Sequence, residues 1–425
     1  MIGGKVMLDV TDRRAAVANL VQARWGDLLA EIGRTVVERD DARLPPPPDL
    51  MAATGSTGLQ AFPLPPEAGG EDADALTWGM ILEQIGYHCA DSALPVIINH
   101  QVDIARFVCE SGRADLIETY AIPIAQGRCG AGIAYTENAD AFSFRTVLRR
   151  KGDGYVLAGY KSYVTGGQIS DVFLTYPLDE AGDMQACLVQ SDDPGVTVRP
   201  AEPMGMRTAG AASVTFDDVP LPAGRVLEAN DGLTHAQRFL SNQRLWIACA
   251  PLGRAQAVLD DCAARLAGTV RYGERVAELK NVEASLGRMF VAVETARVML
   301  YHALSRVADG RAEPIFDPVV SAAKYFAVEQ IRFVLERAFG VLGGYGFYGT
   351  PHLGRYMRDF AGLALVAGTQ DILEVNLGAG VVARAGRPPS RAGFEEDYER
   401  MMGPRHSPHG ADTSTPQMGV DLLNR

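Results

Sequence analysis

The feature that most limits the possible folds is a double change of hydrophobic period along the chain. From Asp12 to about Arg128 the apolar residues recur at helical spacing. Between Ala131 and about Leu227 they form short runs with strand character, separated by turn signals, and beyond Asp231 the helical spacing returns. We therefore predict an α+β protein with an N-terminal helical domain, a central antiparallel β domain and a C-terminal helical bundle.

The same changes of pattern set the expected domain boundaries. We place the N-terminal helical domain at 1–128, the β domain at 129–230, a C-terminal four-helix-bundle domain at 231–388 and a flexible tail at 389–425. The tail is polar and rich in Pro, Gly and His, so it has too little apolar surface to offset the entropy of ordering it. The predicted strands are Tyr155 to Leu157, Val172 to Tyr176, Ala186 to Val189, Val196 to Arg199 and Val214 to Phe216.

Composition narrows the class of partner. The chain has 40 basic and 52 acidic side chains, a net charge of −12, which disfavours nucleic acid and anionic membranes and favours a small organic substrate. Its six cysteines show no CxxC pair or Cys/His spacing, so we expect reduced thiols and no metal site. No apolar run approaches the roughly 18 residues that span a bilayer, and we expect a cytoplasmic protein without membrane insertion.

A series of short motifs follows in a fixed order between Leu59 and Ala383. The motifs are PLPPEAGG (63–70), YTE (135–137), GYKSYVTG (159–166), MGMRTAGAASVTFDDVPLPAGRVL (204–227), GGYG (343–346), Arg355 to Asp359, and Gly368-Thr369. In this order and spacing they resemble the acyl-CoA dehydrogenase family. The resemblance implies a flavin-dependent oxidoreductase of CH–CH groups, with FAD as cofactor and an acyl thioester of coenzyme A or a carrier protein as substrate.

The resemblance also assigns cofactor contacts. It implies that the backbone around Tyr135 and Thr136 lines the flavin, that Tyr163 stands where the family has tryptophan, and that Thr165 lies near the reactive nitrogen. In the family an arginine and a glutamine from the neighbouring subunit hold the diphosphate; Thr269 and Gly340 occupy those positions here, and Arg271 is the expected substitute. The remaining expected cofactor contacts are Gly343, Gly344, Thr369 and Asp371.

The catalytic base is where the sequence departs from the family. Dehydrogenation needs a carboxylate that removes the α-proton of the thioester. Most members place a glutamate directly before Gly-Thr, where this chain has Ala367, and a smaller branch places it before an arginine on the first helix of the third region, where this chain has Gln243. Neither side chain can accept the proton, although the Ala367 N–H can still polarise a carbonyl. The other candidates weighed are Asp231, His235, Asp371 and Glu374, each more often a solvated or capping residue.

Three kinds of function therefore stay open. The chain is an enzyme with a non-standard base, or one whose base comes from a relative in a hetero-oligomer; it is a flavin-dependent oxygenase on the same fold; or it is a non-catalytic subunit or scaffold. A homo-oligomer or a hetero-oligomer fits the resemblance, and the electron acceptor is open.

Overall fold

The computed structural model describes residues 10–137, 144–227, 232–271, 273–313 and 316–386. The predicted tail at 389–425 and Asp231 lie outside these ranges. Within them the chain runs from helices through two main sheets back to helices, which confirms the predicted class and order of elements.

The N-terminal region begins with a long helix that buries one face. In α1 the residues Val17, Val21, Trp25, Leu29 and Ile32 recur every three or four positions and are buried, as expected for an amphipathic helix on a core. The proline run that follows connects helices, with Pro48 as the first residue of α3, because proline has no N–H to lose there. The helices are α1 Val10–Arg34, α2 Val36–Ala42, α3 Pro48–Ser56, α4 Ala75–His88, α5 Leu94–Glu110, α6 Ala114–Leu116 and α7 Ile122–Ala125.

The β region forms two sheets, with strand orders β1-β4-β5 and β2-β3-β7-β6. All five predicted runs overlap strands; β1 and β2 were not predicted, because one is the small-residue segment AGIA and the other is charged. The pairing is antiparallel except between β1 and β4, which run parallel. The strands are β1 Ala131–Ala134, β2 Val147–Lys151, β3 Gly154–Val164, β4 Val172–Thr175, β5 Cys187–Gln190, β6 Val196–Pro200 and β7 Ala212–Pro222.

The C-terminal region is built on three long helices. The second of them, α9, ends at Ala308 beside Asp309 and Gly310. A small hairpin of β8 Val270–Arg271 and β9 Glu274–Arg275 separates the first two helices. The helices are α8 Gly232–Ala267, α9 Lys280–Ala308, α10 Pro318–Leu342, α11 Gly344–Tyr348, α12 Pro351–Leu365 and α13 Gln370–Gly386.

A buried charge cluster fixes α12 against the rest of the molecule. Arg355 pairs with Asp359 at 3.2 Å, and Arg358 reaches Asp40 on α2 at 2.5 Å. Asp359 also accepts a hydrogen bond from the Met206 N–H at 2.6 Å. The motif from Arg355 to Asp359 therefore supplies ion pairs that hold α12 in place.

Helices α5 and α8 run antiparallel and present facing stripes of side chains. On α5 the stripe follows the spacing i, i+4, i+7 and i+11, which keeps its members on one face of a helix. The stripe is polar at its centre and apolar at one end. The facing residues are Val96 near Ile247, His100 near Phe239, Asp103 bonded to Gln243, and Phe107 against His235.

Candidate active site

The loop after β1 is held by one buried lysine. The Lys161 ammonium group is fully buried and donates to the carbonyl oxygens of Tyr135 and Tyr176, each at 3.0 Å. It also pairs with the Glu137 carboxylate at 2.8 Å. Burial lowers the pKa of Lys161, and Glu137 opposes that shift. Because a buried charge is tolerated only when it is paired and hydrogen-bonded, these contacts fix the loop rigidly.

The same loop lies beside an exposed aromatic residue on β3. The Ser162 N–H donates to the Thr136 carbonyl oxygen at 2.8 Å, so the structure brings Thr136 next to Tyr163. A bulge between Lys161 and Val164 breaks the alternation of the strand, and Tyr163 has φ +57°. Its side chain is 73% exposed, an unusual state for a large aromatic residue in a sheet. This open face, with Thr165 two residues further on, fits a planar ring system.

The turn around Ala367 follows α12 and is fastened by two buried cations. Arg244 Nε donates to the Ala367 carbonyl oxygen at 3.1 Å. Lys324 Nζ donates to the carbonyl oxygens of Ala364 and Gly368, at 2.9 and 2.6 Å. Burial lowers the pKa of Arg244 to about 10; burial and the nearby Arg244 lower that of Lys324 to about 8. Ala367 itself is buried with φ +57°, so the backbone at this position is held in the left-handed region.

Gln243 lies next to Arg244 and carries its side chain to a carboxyl group that the sequence analysis did not single out. Gln243 Nε2 donates to Asp103 Oδ2 on α5. Asn99, one turn before Asp103, donates to the same oxygen at 3.3 Å. The Trp78 indole N–H donates to Asn99 Oδ1 at 2.9 Å, which turns the Asn99 amide nitrogen towards Asp103. Two amide groups thus hold one oxygen of this carboxyl.

The other oxygen of Asp103 is free for chemistry. Among the described residues Oδ1 has no hydrogen-bond partner, and the side chain stays partly exposed. Burial raises the pKa of Asp103 to about 8, with a smaller contribution from Glu110, while Arg106 and Gln243 oppose the shift. A carboxyl with a pKa near neutrality and one unoccupied oxygen has the properties of a general base.

An aromatic series connects this carboxyl to the Tyr135 loop. The Tyr135 and Tyr176 rings are 5.5 Å apart, and Tyr176 Oη lies 2.7 Å from His235 Nδ1. The His235 ring lies 3.3 Å from the Phe107 ring, and Phe107 follows Asp103 by one turn of α5. Burial lowers the pKa of His235 to about 3, and the ring is already bonded to Tyr176. An imidazole with so low a pKa accepts a proton only weakly, which makes His235 a poorer candidate base than Asp103.

The other sequence candidates lie on the helices beyond this cluster. Thr369 Oγ1 accepts from the Ile372 N–H at 3.3 Å and caps α13. Asp371 and Glu374 are exposed on that helix, and Glu374 accepts from the Tyr325 hydroxyl at 2.6 Å. Their roles stay predictions.

The predicted diphosphate contacts lie far from Gln243 along α8. Arg271 is exposed on the hairpin after α8 and donates to the Val270 carbonyl oxygen at 2.9 Å. Since 24 positions separate Gln243 from the end of α8 at Ala267, the hairpin begins roughly 35 Å from Gln243 along the helix axis. Gly343, with φ +55°, ends α10, and Gly344 begins α11; neither has an atom within 4 Å of the position its Cβ would take. Arg271 is therefore far along α8 from the contacts of Gln243.

Asp103 is the functional candidate that sequence reasoning missed. Its partner Gln243 is 140 positions away, and no motif marks it. One feature of the sequence could have indicated Asp103. It lies near the polar run Asn99-His100-Gln101, in a helix whose other residues are mostly buried and apolar. Polar residues in such a helix need partners or a function.

The part of the chain that the structure describes contains neither a membrane-spanning helix nor a cluster of metal ligands. None of the helices there is long and apolar enough to cross a membrane. In the same residues, no three His, Cys, Asp or Glu side chains gather in a way that could hold a metal ion.

Comparisons with known proteins agree with this architecture. The acyl-CoA dehydrogenase N-terminal, middle and C-terminal domain families match residues 14–128, 132–219 and 230–382. The cyclohex-1-ene-1-carbonyl-CoA dehydrogenase of Geobacter metallireducens is 30% identical over 360 residues, which are 82% of this chain and 93% of that protein. Butyryl-CoA dehydrogenase from Megasphaera elsdenii shares the fold at a TM-score of 0.80 and 23% identity, covering 88% of this chain and 99% of that one. The prolyl acyl carrier protein oxidase AnaB shares it at 0.79 and 23%, covering 88% and 98%. This chain belongs to the acyl-CoA dehydrogenase family.

Proposed function

We propose that this chain is a complete α,β-dehydrogenase of an acyl thioester whose base is not the glutamate usual in its family. The members of this family are flavin-dependent oxidoreductases of CH–CH groups that bind FAD. The single observation that supports a complete enzyme is the partly exposed Asp103 carboxyl, which is bonded to Gln243 beside the Ala367 turn. A chain that holds its own carboxyl at this place has no need of a base from a partner subunit.

The residues around the two base positions suit the binding steps of this reaction. The bound FAD would supply the acceptor for the β-hydride. Tyr163 would stack on the flavin, and Thr136 and Thr165 would meet its polar edge. The Ala367 N–H would donate to the thioester carbonyl oxygen, in a turn that Arg244 and Lys324 keep from moving. A donor fixed before the reaction stabilises the negative charge that develops on that oxygen.

The acyl carrier is coenzyme A or a carrier protein. The names of the relatives include both kinds, a cyclohex-1-ene-1-carbonyl-CoA dehydrogenase and a prolyl acyl carrier protein oxidase. The polar side chains of Asp103 and His100, on the face of α5 that meets α8, would suit a compact acyl group better than a long aliphatic chain.

The test is product identification with the purified chain alone and an artificial electron acceptor. The thioesters would be butyryl-CoA, glutaryl-CoA, a prolyl carrier protein and cyclohexane-1-carbonyl-CoA, which has the α-hydrogen that its 1-ene counterpart lacks. We expect one of them to yield a product that has lost two hydrogen atoms, without consumption of oxygen. A product that has gained an oxygen atom would establish the oxygenase alternative, and turnover that requires a second polypeptide would establish the hetero-oligomer.

A further inference from the structure

We infer that Asp103 is the catalytic base, with Oδ1 as the atom that removes the α-proton; this inference rests on the dehydrogenase activity proposed above. No residue at either base position of the family can do so, since Ala367 has no polar side chain and Gln243 is an amide. Asp103 accepts a hydrogen bond from Gln243, which occupies one of these positions. Arg244, the residue after Gln243, donates to the carbonyl oxygen of Ala367 at the other position.

The position of Asp103 follows from contacts on two sides. On one side Gln243 bonds to Asp103, and the adjacent Arg244 bonds to the Ala367 carbonyl oxygen. On the other side Phe107, on the same face of α5, contacts His235, which bonds to Tyr176 beside the Tyr135 loop. Short chains of contacts therefore link the carboxyl to the turn proposed to hold the thioester and to the loop proposed to line the flavin.

The two oxygens of this carboxyl have different surroundings. Oδ2 accepts from both Asn99 and Gln243, and Trp78 fixes the orientation of Asn99. Oδ1 has no hydrogen-bond partner among the described residues. Because the side chain is partly exposed, Oδ1 remains open to water or substrate. One anchored and one free oxygen is the arrangement expected of a group that must hold its place and exchange a proton.

The chemical step balances within one site. The α C–H bond breaks, its proton goes to Oδ1 of Asp103, and its electron pair forms the Cα=Cβ bond as the β C–H bond breaks. The β-hydrogen leaves as hydride to FAD, so the thioester is oxidised by two electrons. Gln243 keeps the carboxyl oriented and has no net charge, whereas a glutamate there would repel Asp103 and make one of the two carboxyls hard to ionise.

The other charged and titratable groups around Asp103 do not take its place. On α5 the neighbours are His100, Arg106 and Glu110; α8 contributes His235 and Arg238, and the segment after β4 contributes Tyr176. Burial lowers the pKa of His100 to about 4 and raises the pKa of Tyr176 well above its usual value. Glu110 pairs with Arg238 at the surface. Of Asp103, His100, His235 and Tyr176, Asp103 is the one whose pKa lies near neutrality.

The experiment compares Asp103→Asn with the wild type, both loaded with FAD. Asparagine keeps an acceptor for Asn99 and Gln243, so we expect the visible spectrum and the affinity for FAD to be unchanged. The rate of flavin reduction by the best thioester of the panel should fall about 10²–10⁴-fold. The matched control is Asp115→Asn, the same change in an exposed surface pair with Arg113, which should reduce flavin at the wild-type rate.

A second readout does not depend on turnover. Acetoacetyl-CoA has acidic α-protons but transfers no hydride, and its enolate next to oxidised flavin absorbs at long wavelength. The wild type should develop this band and Asp103→Asn should not, while Asp103→Glu, which keeps a carboxylate, should recover part of it. If Asp103→Asn fails to bind FAD, the test passes to Asp103→Glu. Complete loss of the long-wavelength band in FAD-loaded Asp103→Glu would contradict the inference.

The outcomes separate the two proposals. If the wild type reduces its flavin and Asp103→Asn does so at a similar rate, Asp103 is not the base although the chain is a dehydrogenase. If no thioester of the panel reduces the wild-type flavin but acetoacetyl-CoA gives the band only when Asp103 is present, the base assignment stands and the proposed reaction fails.

Discussion

Gln243 on α8 donates a hydrogen bond to Asp103 on α5, across 140 positions of sequence. Gln243 occupies the position at which a branch of the family has its catalytic base. The contact connects that position with the carboxyl of Asp103, which lies outside the family motifs. It explains how this chain can carry an amide at that position and still have a carboxylate beside it.

Replacing Gln243 with methionine should move the pH dependence of flavin reduction. Methionine has a similar length but no N–H, so the charged form of Asp103 loses a donor and its pKa should rise above the present value of about 8. We expect the rising limb to shift by up to about one pH unit, with most of the rate retained at high pH. The control is Gln237→Met on the same helix. An unshifted limb would contradict a role for Gln243 in positioning the base.

The wild-type pH profile has a predicted direction. The protonated form of Asp103 cannot act as a base, so kcat/KM should rise with pH and level off above about 8. His100 and His235 have pKa values of about 4 and 3, so they do not titrate between pH 6 and 9. The measurement is kcat/KM from pH 6 to 9, and a profile that falls across this range would be inconsistent with a carboxylate base.

Asp103 should also make the fold less stable as the pH rises. Its pKa is higher in the folded state than the ordinary value of 3.8, so its contribution is intact below that value and is lost as the pH rises to about 8. Asp103→Asn should therefore become more stable than the wild type towards pH 8. Thermal melts of the two proteins at pH 5 and pH 8 measure this, and an equal difference at both values would contradict it.

Lys161→Met should destabilise the Tyr135 loop and weaken FAD binding. The change leaves the Glu137 carboxylate buried without its partner, which costs about 3–5 kcal/mol. Adding Glu137→Gln removes the unpaired charge and should recover part of this stability. Urea denaturation of the single and double variants gives the coupling energy, and additive effects would show that the pair does not act as a unit.

Ala367→Glu alone should not raise the turnover of the isolated chain. The new carboxylate would enter a buried turn beside Arg244, where an ion pair lowers its pKa and makes it a weaker base. The diphosphate contacts of the family also remain altered at Thr269 and Gly340. The measurement is the flavin reduction rate of the variant against the wild type, and a clear gain would disprove the prediction.

The order of helices, strands and helices could be predicted from the sequence because hydrophobic period is a local property of the chain. The end of α9 beside Gly310 and the start of α3 at Pro48 likewise reflect single residue types that limit the backbone. The contact between Asp103 and Gln243 could not be predicted from the sequence, since it depends on how two helices pack and on which side chains face each other. The exposed state of Tyr163 likewise depends on a bulge that shifts the register of β3. No residue type in the strand predicts that bulge.

The most direct test of the account is the absorption spectrum of the purified chain, recorded anaerobically while the thioesters of the panel are added one at a time. The account predicts one FAD per chain and loss of its visible absorption with at least one thioester, in the absence of any second polypeptide. A colourless protein, or an oxidised flavin that no thioester bleaches, would contradict the claim that this chain alone is a complete dehydrogenase.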